Sequence, residues 1–197
     1  MLSPDLIAHV KDGGVVAYPT STLPGLACLP TKDSLDALFE LKQRSADKPV
    51  SLGVLSLDQA THLVHVPDKV RALEAAFPQG GFTFILDAVD PLDARLGGAR
   101  VAVRCLAHPT ARALVETFGP ITATSANESG EPPEATAEAA GAFLGLPEHA
   151  ILAGDCPGGV GSTILNVTEG TDGVEVTVMR EGVVPSDSVM KWWKTRN

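Results

Sequence analysis

The feature that most restricts how this chain can fold is the rhythm of its apolar residues. Short runs, "VVAY", "VSLGVL", "FTFILDA", "VAVRC", "ITAT", "STILNV" and "VEVTVMR", recur from Val15 to Arg180. Each is brief for a helix and apolar enough for a buried strand. Between them lie segments with helical spacing. In "SPDLIAHVKDGG", Ser3 is placed to cap, Pro4 suits the first helical position, Leu6, Ile7 and Val10 share a face, and Gly13 ends the helix. "TKDSLDALFELKQR" turns Leu35, Leu38 and Phe39 inward. Further helices are expected from about Leu57 and over "DKVRALEAAF", "HPTARALVETF", "TAEAAGAF" and "SDSVMKWWK". The last two strands are joined by the turn "TEGTDG". Strands and helices mix without strict alternation, so helices packed on one mixed sheet are expected in place of a regular doubly wound fold.

A length of 197 residues with 44% hydrophobic residues suffices for one sizeable core, and a single domain over 1–197 is expected. The most linker-like stretch, Glu128 to Thr136, reads as a loop within it. Cys28, Cys105 and Cys156 form no CxxC pair and have no histidine at zinc-finger spacing, so neither a disulfide frame nor a structural metal is indicated. Asp5, His9 and Lys11 interrupt the N-terminal stretch, which therefore lacks the apolar core of a signal peptide. No later run approaches the roughly 20 apolar residues needed to cross a bilayer. A soluble, cytoplasmic protein without membrane contact is expected. The net charge of −9 disfavours broad nucleic-acid binding, double-stranded RNA included, because such surfaces use Lys and Arg to neutralise phosphates.

Four places are more polar than folding alone requires. The strand "VVAY" leaves through Pro19 to Gly25, a hydroxyl-rich, proline-stiffened turn that is either a ligand wall or a turn satisfying its own backbone. Lys42, Arg44 and Lys48 cluster at a helix end, either as a phosphate clamp or as a solvated face favoured by the helix dipole. Arg104 stands at the end of the apolar strand "VAVRC", where it needs an anion: a protein Asp or Glu, or a ligand carboxylate. Beyond Ile121, Thr122, Thr124, Ser125, Asn127 and Ser129 follow in quick succession before Gly130, Pro132 and Pro133. A companion to this last place, "GGVGSTILNV", sets Ser162 and Thr163 behind a glycine-rich loop whose amides can approach an anion. It is not a Lys-Ser/Thr phosphate loop, since no lysine precedes Ser162.

Taken together, "GGVVAYPTST", "LKQRSADKPVSL", "VAVRCLAHP", "TSANESGEPP", "GSTILNV" and "VMREGVVP" resemble, in order and over most of the chain, the threonylcarbamoyl-AMP synthase family that includes the Sua5 and YrdC proteins. The family's K-x-R and S-x-N pairs correspond to Lys42 with Arg44 and Ser125 with Asn127. The resemblance implies an α/β domain with a twisted, open, mixed parallel and antiparallel sheet, flanked by helices, whose concave face binds ligands. It also implies a reaction: L-threonine and bicarbonate form a carbamate that attacks the α-phosphate of ATP, giving threonylcarbamoyl-AMP and pyrophosphate. The product would pass to a tRNA threonylcarbamoyl transferase complex that modifies adenosine 37. Carried over residue by residue, Lys42 and Arg44 act in catalysis, and with Asn127 and Arg180 they bind nucleotide. Thr20, Arg104, Ser125 and Ser162 bind threonine or its carbamate. Mg²⁺ arrives with ATP, and no protein side chain is expected to ligate it.

The chain departs from the family's usual Pro-Thr-Glu/Asp-Thr-x-Tyr-Gly-Leu run at Ser21 and Pro24, which implies relaxed discrimination for threonine. Near Gly53, members often carry a polar or His residue, and "FPQGGFTFIL" replaces a commoner Pro-Gly-Pro-x-Thr-x-Ile-Leu while keeping Thr83. Longer members have a further C-terminal domain that this chain is expected to lack. Two alternatives stay open: a relative of the same fold with another carbamoyl substrate or none, and an RNA-binding module. Outside Lys42, Arg44, Lys48, Arg104 and Arg180 the chain is strongly acidic, which suits a small polyanion such as ATP better than a long backbone.

Overall fold

Apolar runs this short cannot stand alone, because an isolated strand leaves its backbone donors and acceptors unpaired. The computed structural model, which describes residues 2–171 and 173–196, joins them in one open sheet. In chain order the elements are α1 (Pro4–Lys11), β1 (Val16–Tyr18), β2 (Gly25–Ala27), α2 (Lys32–Leu41), β3 (Ser51–Val54), α3 (Asp68–Ala76) and β4 (Phe82–Asp87). Then follow β5 (Arg100–Cys105), α4 (Pro109–Phe118), β6 (Ile121–Ser125), α5 (Ala137–Phe143), β7 (Thr163–Gly170), β8 (Gly173–Arg180) and α6 (Ser186–Lys194). The strands lie in the order β1-β2-β6-β3-β5-β4-β7-β8. β3 runs parallel to β5 and β4 to β7, and every other neighbouring pair is antiparallel. The sheet is therefore mixed, in agreement with the sequence.

Period-two alternation decides which face each side chain joins. On β5, Val101, Val103 and Cys105 are buried while Arg100, Ala102 and Arg104 are half-buried. Register aligns Val103 with Leu52 of β3 and Phe84 of β4, so the buried residues of adjacent strands share one face. Against this face pack Leu35 and Leu38 of α2, Val70 and Leu73 of α3, and Val189 and Trp193 of α6. At the β1 end the opposite face is also covered. There Val16, Tyr18, Ile121 and Ala123 meet Leu6 and Val10 of α1 and Leu114 and Val115 of α4. Along β3, β5, β4 and β7 that second face carries Gly53, Arg104, Ala102, Ile85, Thr83 and Ile164, and the functional cavity opens here.

α1 is capped as its sequence predicts: Ser3 Oγ accepts from the Leu6 amide at 3.2 Å, with Leu6 and Val10 buried, while Ile7 is only half-buried. Three expectations change. The segment after "AYPT" contains a strand, β2, that the sequence hid inside a proline-rich turn, and the helix expected from about Leu57 is a 3₁₀ turn at Gln59–His62. The hairpin between β7 and β8 is tighter than expected, because pairing reaches Gly170 and Gly173. Asp172 of the "TEGTDG" turn lies outside the described residues. Among the described residues, no helix is long and apolar enough to cross a membrane.

Candidate functional site

A cavity of about 340 Å³ occupies the uncovered sheet face, and its walls come from every polar stretch of the sequence. The β1–β2 connection forms one wall. Thr20 Oγ1 accepts from the Thr22 amide at 3.0 Å and donates to Leu23 O at 2.6 Å, so this hydroxyl, buried at the wall, is largely engaged by its own turn. The connection must also pass close to the sheet. At Gly25 a Cβ would come within 2.9 Å of Thr20 Cγ2 and of Tyr18 Cζ, which leaves room for hydrogen only.

Arg104 crosses beneath this wall. Its Nη2 donates to Gly80 O at 2.9 Å and Thr22 Oγ1 at 3.0 Å, with Ser21 Oγ at 3.4 Å, and Nε donates to Gly80 O at 3.2 Å. Among the described residues no carboxylate pairs with it, and Nη1 has no protein acceptor. Burial chiefly lowers its pKa and the Arg180 charge adds to this, while Tyr18 and Glu74 oppose it. Of the two sequence alternatives for its partner, a bonded protein carboxylate is absent among the described residues.

The K-x-R pair splits. Lys42, at the C-terminal end of α2, is 1% exposed and does not line the cavity. Its Nζ donates to Ser125 O at 2.5 Å and Asn127 O at 2.6 Å, tying α2 to the loop after β6. Burial, followed by the Arg44 charge, pulls its pKa down to about 8, while the two carbonyl acceptors favour the charged form. Gln43 then takes a positive φ of 48°, reversing the chain so that Arg44 faces the cavity. Arg44 is held by Lys48 O at 2.5 Å and Pro49 O at 2.9 Å, and Lys48 is exposed.

The S-x-N pair splits in the same way. Ser125 lines the cavity opposite Gly25 in the sheet register. Asn127 does not: its Nδ2 donates to Glu128 O and Glu131 O, and its buried Oδ1 has no partner. At the far wall, Ser162 Oγ meets Thr83 Oγ1 at 2.7 Å, and Arg180 Nη2 donates to Ser162 O at 2.9 Å. Thr163 serves the fold, donating to Val184 O and accepting from the Gly182 and Val184 amides.

The cavity thus gathers Thr20, Arg44, Arg104, Ser125, Ser162 and Arg180, and excludes Lys42 and Asn127 from its surface. Tyr18, Thr22, Ser51 and Thr83 also line it, beyond the residues expected from sequence. Thr83 left a signal, a hydroxyl within the apolar run "FTFIL", whereas Tyr18 reads only as the end of a buried strand. Three arginines, several hydroxyls and no carboxylate line the space, a composition that favours an anion. Among the described residues, no group of three or more His, Cys, Asp or Glu could hold a metal ion.

Comparison with known proteins matches this geometry to a family. The family model described as telomere recombination, Sua5/YciO/YrdC, matches residues 8–182. A threonylcarbamoyl-AMP synthase of Vibrio parahaemolyticus is 34% identical over 157 residues, covering 76% of this chain and 84% of that protein. One of Alkalilimnicola ehrlichii is 40% identical over 157 residues, covering 78% and 82%. The crystal structure of Pyrococcus abyssi Sua5 complexed with L-threonine is similar with a TM-score of 0.80 at 30% identity, over 95% of this chain. This chain spans 56% of that longer protein. The Escherichia coli YciO structure shares the fold, with a TM-score of 0.75 at 24% identity over 94% of this chain and 91% of that one. By sequence and by fold, the chain belongs to the Sua5/YciO/YrdC family.

Proposed function

We propose that the chain is an L-threonylcarbamoyladenylate synthase, acting in the cytoplasm on L-threonine, bicarbonate and ATP. The observation that carries this reading is Arg104, a half-buried guanidinium without a protein carboxylate at a cavity that also presents Arg44 and Arg180. A desolvated cation lacking an internal counterion is matched by an anionic ligand. The relatives named threonylcarbamoyl-AMP synthase, and the P. abyssi protein complexed with L-threonine, support the choice of ligand.

In this reading Arg104 pairs with the threonine carboxylate and fixes the amino acid against the β1–β2 wall. Ser125 and Ser162 hydrogen-bond the amino acid or its carbamate. Arg44 and Arg180 neutralise phosphate oxygens of ATP, and Lys42 acts behind the wall by holding Ser125 and Asn127 in place. The carbamate oxygen attacks the α-phosphorus, a P–O bond to pyrophosphate breaks, and the carbamate needs no further deprotonation because it is already anionic. Catalysis rests on orientation and charge neutralisation. Mg²⁺ bound to ATP would offset charge on the leaving pyrophosphate. The adenylate would then serve a transferase complex acting on adenosine 37 of tRNA.

The test supplies the protein with ATP, Mg²⁺ and bicarbonate together with threonine, serine or 2-aminobutyrate, and follows pyrophosphate release and the mass of the adenylate. Threonine-dependent release is expected, with a narrow margin over serine in view of Ser21 and Pro24. Failure of every amino acid to support release would overturn the reading.

A further inference from the structure

We propose that Tyr18 is an anion-binding residue of the site, its phenol hydroxyl donating to the same oxyanion that Arg104 holds. On the synthase reading, which supplies the ligand's identity, that oxyanion is the threonine carboxylate. Tyr18 ends β1 and is only 1% exposed, yet it lines the cavity. Its ring lies over Gly25, with the hydroxyl-bearing carbon, Cζ, 2.9 Å from where a Cβ would stand there. Among the described residues its hydroxyl has no protein hydrogen-bond partner. Its oxygen is also not among the polar atoms sealed without a partner in the core, which leaves the cavity as the place it reaches. A phenylalanine would fill the same volume, so the hydroxyl serves something the protein itself does not provide.

The neighbours define what that is. The hydroxyl of Thr20 is engaged by its own turn, and that of Thr22 accepts from Arg104. Arg104 Nη1 and the Tyr18 hydroxyl are the two groups at this wall that have no protein partner among the described residues, although the hydroxyls of Ser21 and Thr22, which accept from Arg104, keep a proton of their own. The two side chains feel each other's charge: Arg104 favours the phenolate, but burial prevails and keeps the phenol protonated, pushed up to about 12. Tyr18 therefore adds a donor without adding charge, which complements one oxyanion paired with one guanidinium.

Tyr18 is the chain's single tyrosine, so tyrosine carrying ¹³C at Cζ gives one resonance that reports on this hydroxyl. Titration with L-threonine, and separately with acetate as the simplest carboxylate, is expected to shift that resonance, and Arg104→Ala is expected to abolish the shift. Tyr18→Phe keeps the ring and is expected to raise the Kd for threonine about tenfold while leaving that for ATP unchanged. A shift with acetate but none with threonine would uphold Tyr18 and overturn the synthase reading. No shift with either ligand, or an unchanged threonine Kd in folded Tyr18→Phe, would overturn the role of Tyr18. If Tyr18→Phe does not fold, the resonance in the unsubstituted protein decides alone.

Discussion

A lysine ammonium carries three donors, and at Lys42 two of them are committed to the Ser125 and Asn127 carbonyls, 83 and 85 positions away in sequence. Lys42→Met should therefore cost about 2–4 kcal/mol of stability, because it leaves buried acceptors without their charged donor. It should weaken threonine and ATP binding together, since the wall shifts as a unit. Chemical denaturation and calorimetric titration with each ligand check this; a loss confined to ATP would place the ammonium on phosphate instead. Arg104 behaves differently because its bonds leave Nη1 free. Arg104→Ala should weaken threonine binding by about 2–5 kcal/mol with little change for ATP, and unchanged threonine affinity in the folded variant would remove it from the site. The sequence showed Lys42 as a cation in a charged cluster and Arg104 as one at the end of an apolar strand. It did not show that Lys42 turns inward, because the acceptors that draw it are backbone carbonyls, whose positions no residue type encodes.

Among the elements, helices announced themselves through local chemistry: a serine cap and an N-terminal proline at α1, and inward Leu35 and Leu38 on α2. β2 had no such signature. Its Gly25, Leu26 and Ala27 have weak intrinsic strand preference, and the element exists because Val16 to Tyr18 pair on one side and Thr124 and Ser125 on the other. That same strand brings the β1–β2 connection down onto the cavity, so the unread element and the unread residue Tyr18 share one cause, pairing that is not local. Gly25 is the hinge of the arrangement. Gly25→Ala should destabilise by about 1–3 kcal/mol, since a methyl 2.9 Å from Thr20 Cγ2 and Tyr18 Cζ forces both to move. Threonine binding should weaken with it. Thermal unfolding and titration test this, and wild-type stability would mean that the wall yields without cost.

At the scale of the whole molecule, 24 acidic residues face 15 basic ones, and stability should follow pH through the few carboxyls whose surroundings differ from water. Asp93, held near 2 chiefly by its hydrogen bonds from Arg95, contributes stability that is present above its ordinary 3.8 and lost as pH falls through 2. Its side chain is about a third exposed, at 32%, so solvent screening keeps that contribution small. Glu74 on α3 works in the opposite sense. Its carboxyl oxygens are buried without an ordinary hydrogen bond, with the Cys105 thiol beside them and the Arg104 charge beyond. Both neighbours favour ionisation, but burial outweighs them and pushes the carboxyl up to about 7 from an ordinary 4.5. The folded chain then keeps a proton that the unfolded chain has released. The stabilising effect is complete below pH 4.5 and is lost as pH rises through 7, for a total of up to about 3 kcal/mol. Growing net negative charge acts in the same direction, so a decline in wild-type stability between pH 5 and 8 is not by itself diagnostic. Glu74→Gln separates the causes, because it changes one charge among many yet removes the buried acid. The variant should show a flatter decline and exceed the wild type at pH 8 in denaturant unfolding, and parallel pH profiles for the two proteins would show that Glu74 ionises freely in the fold.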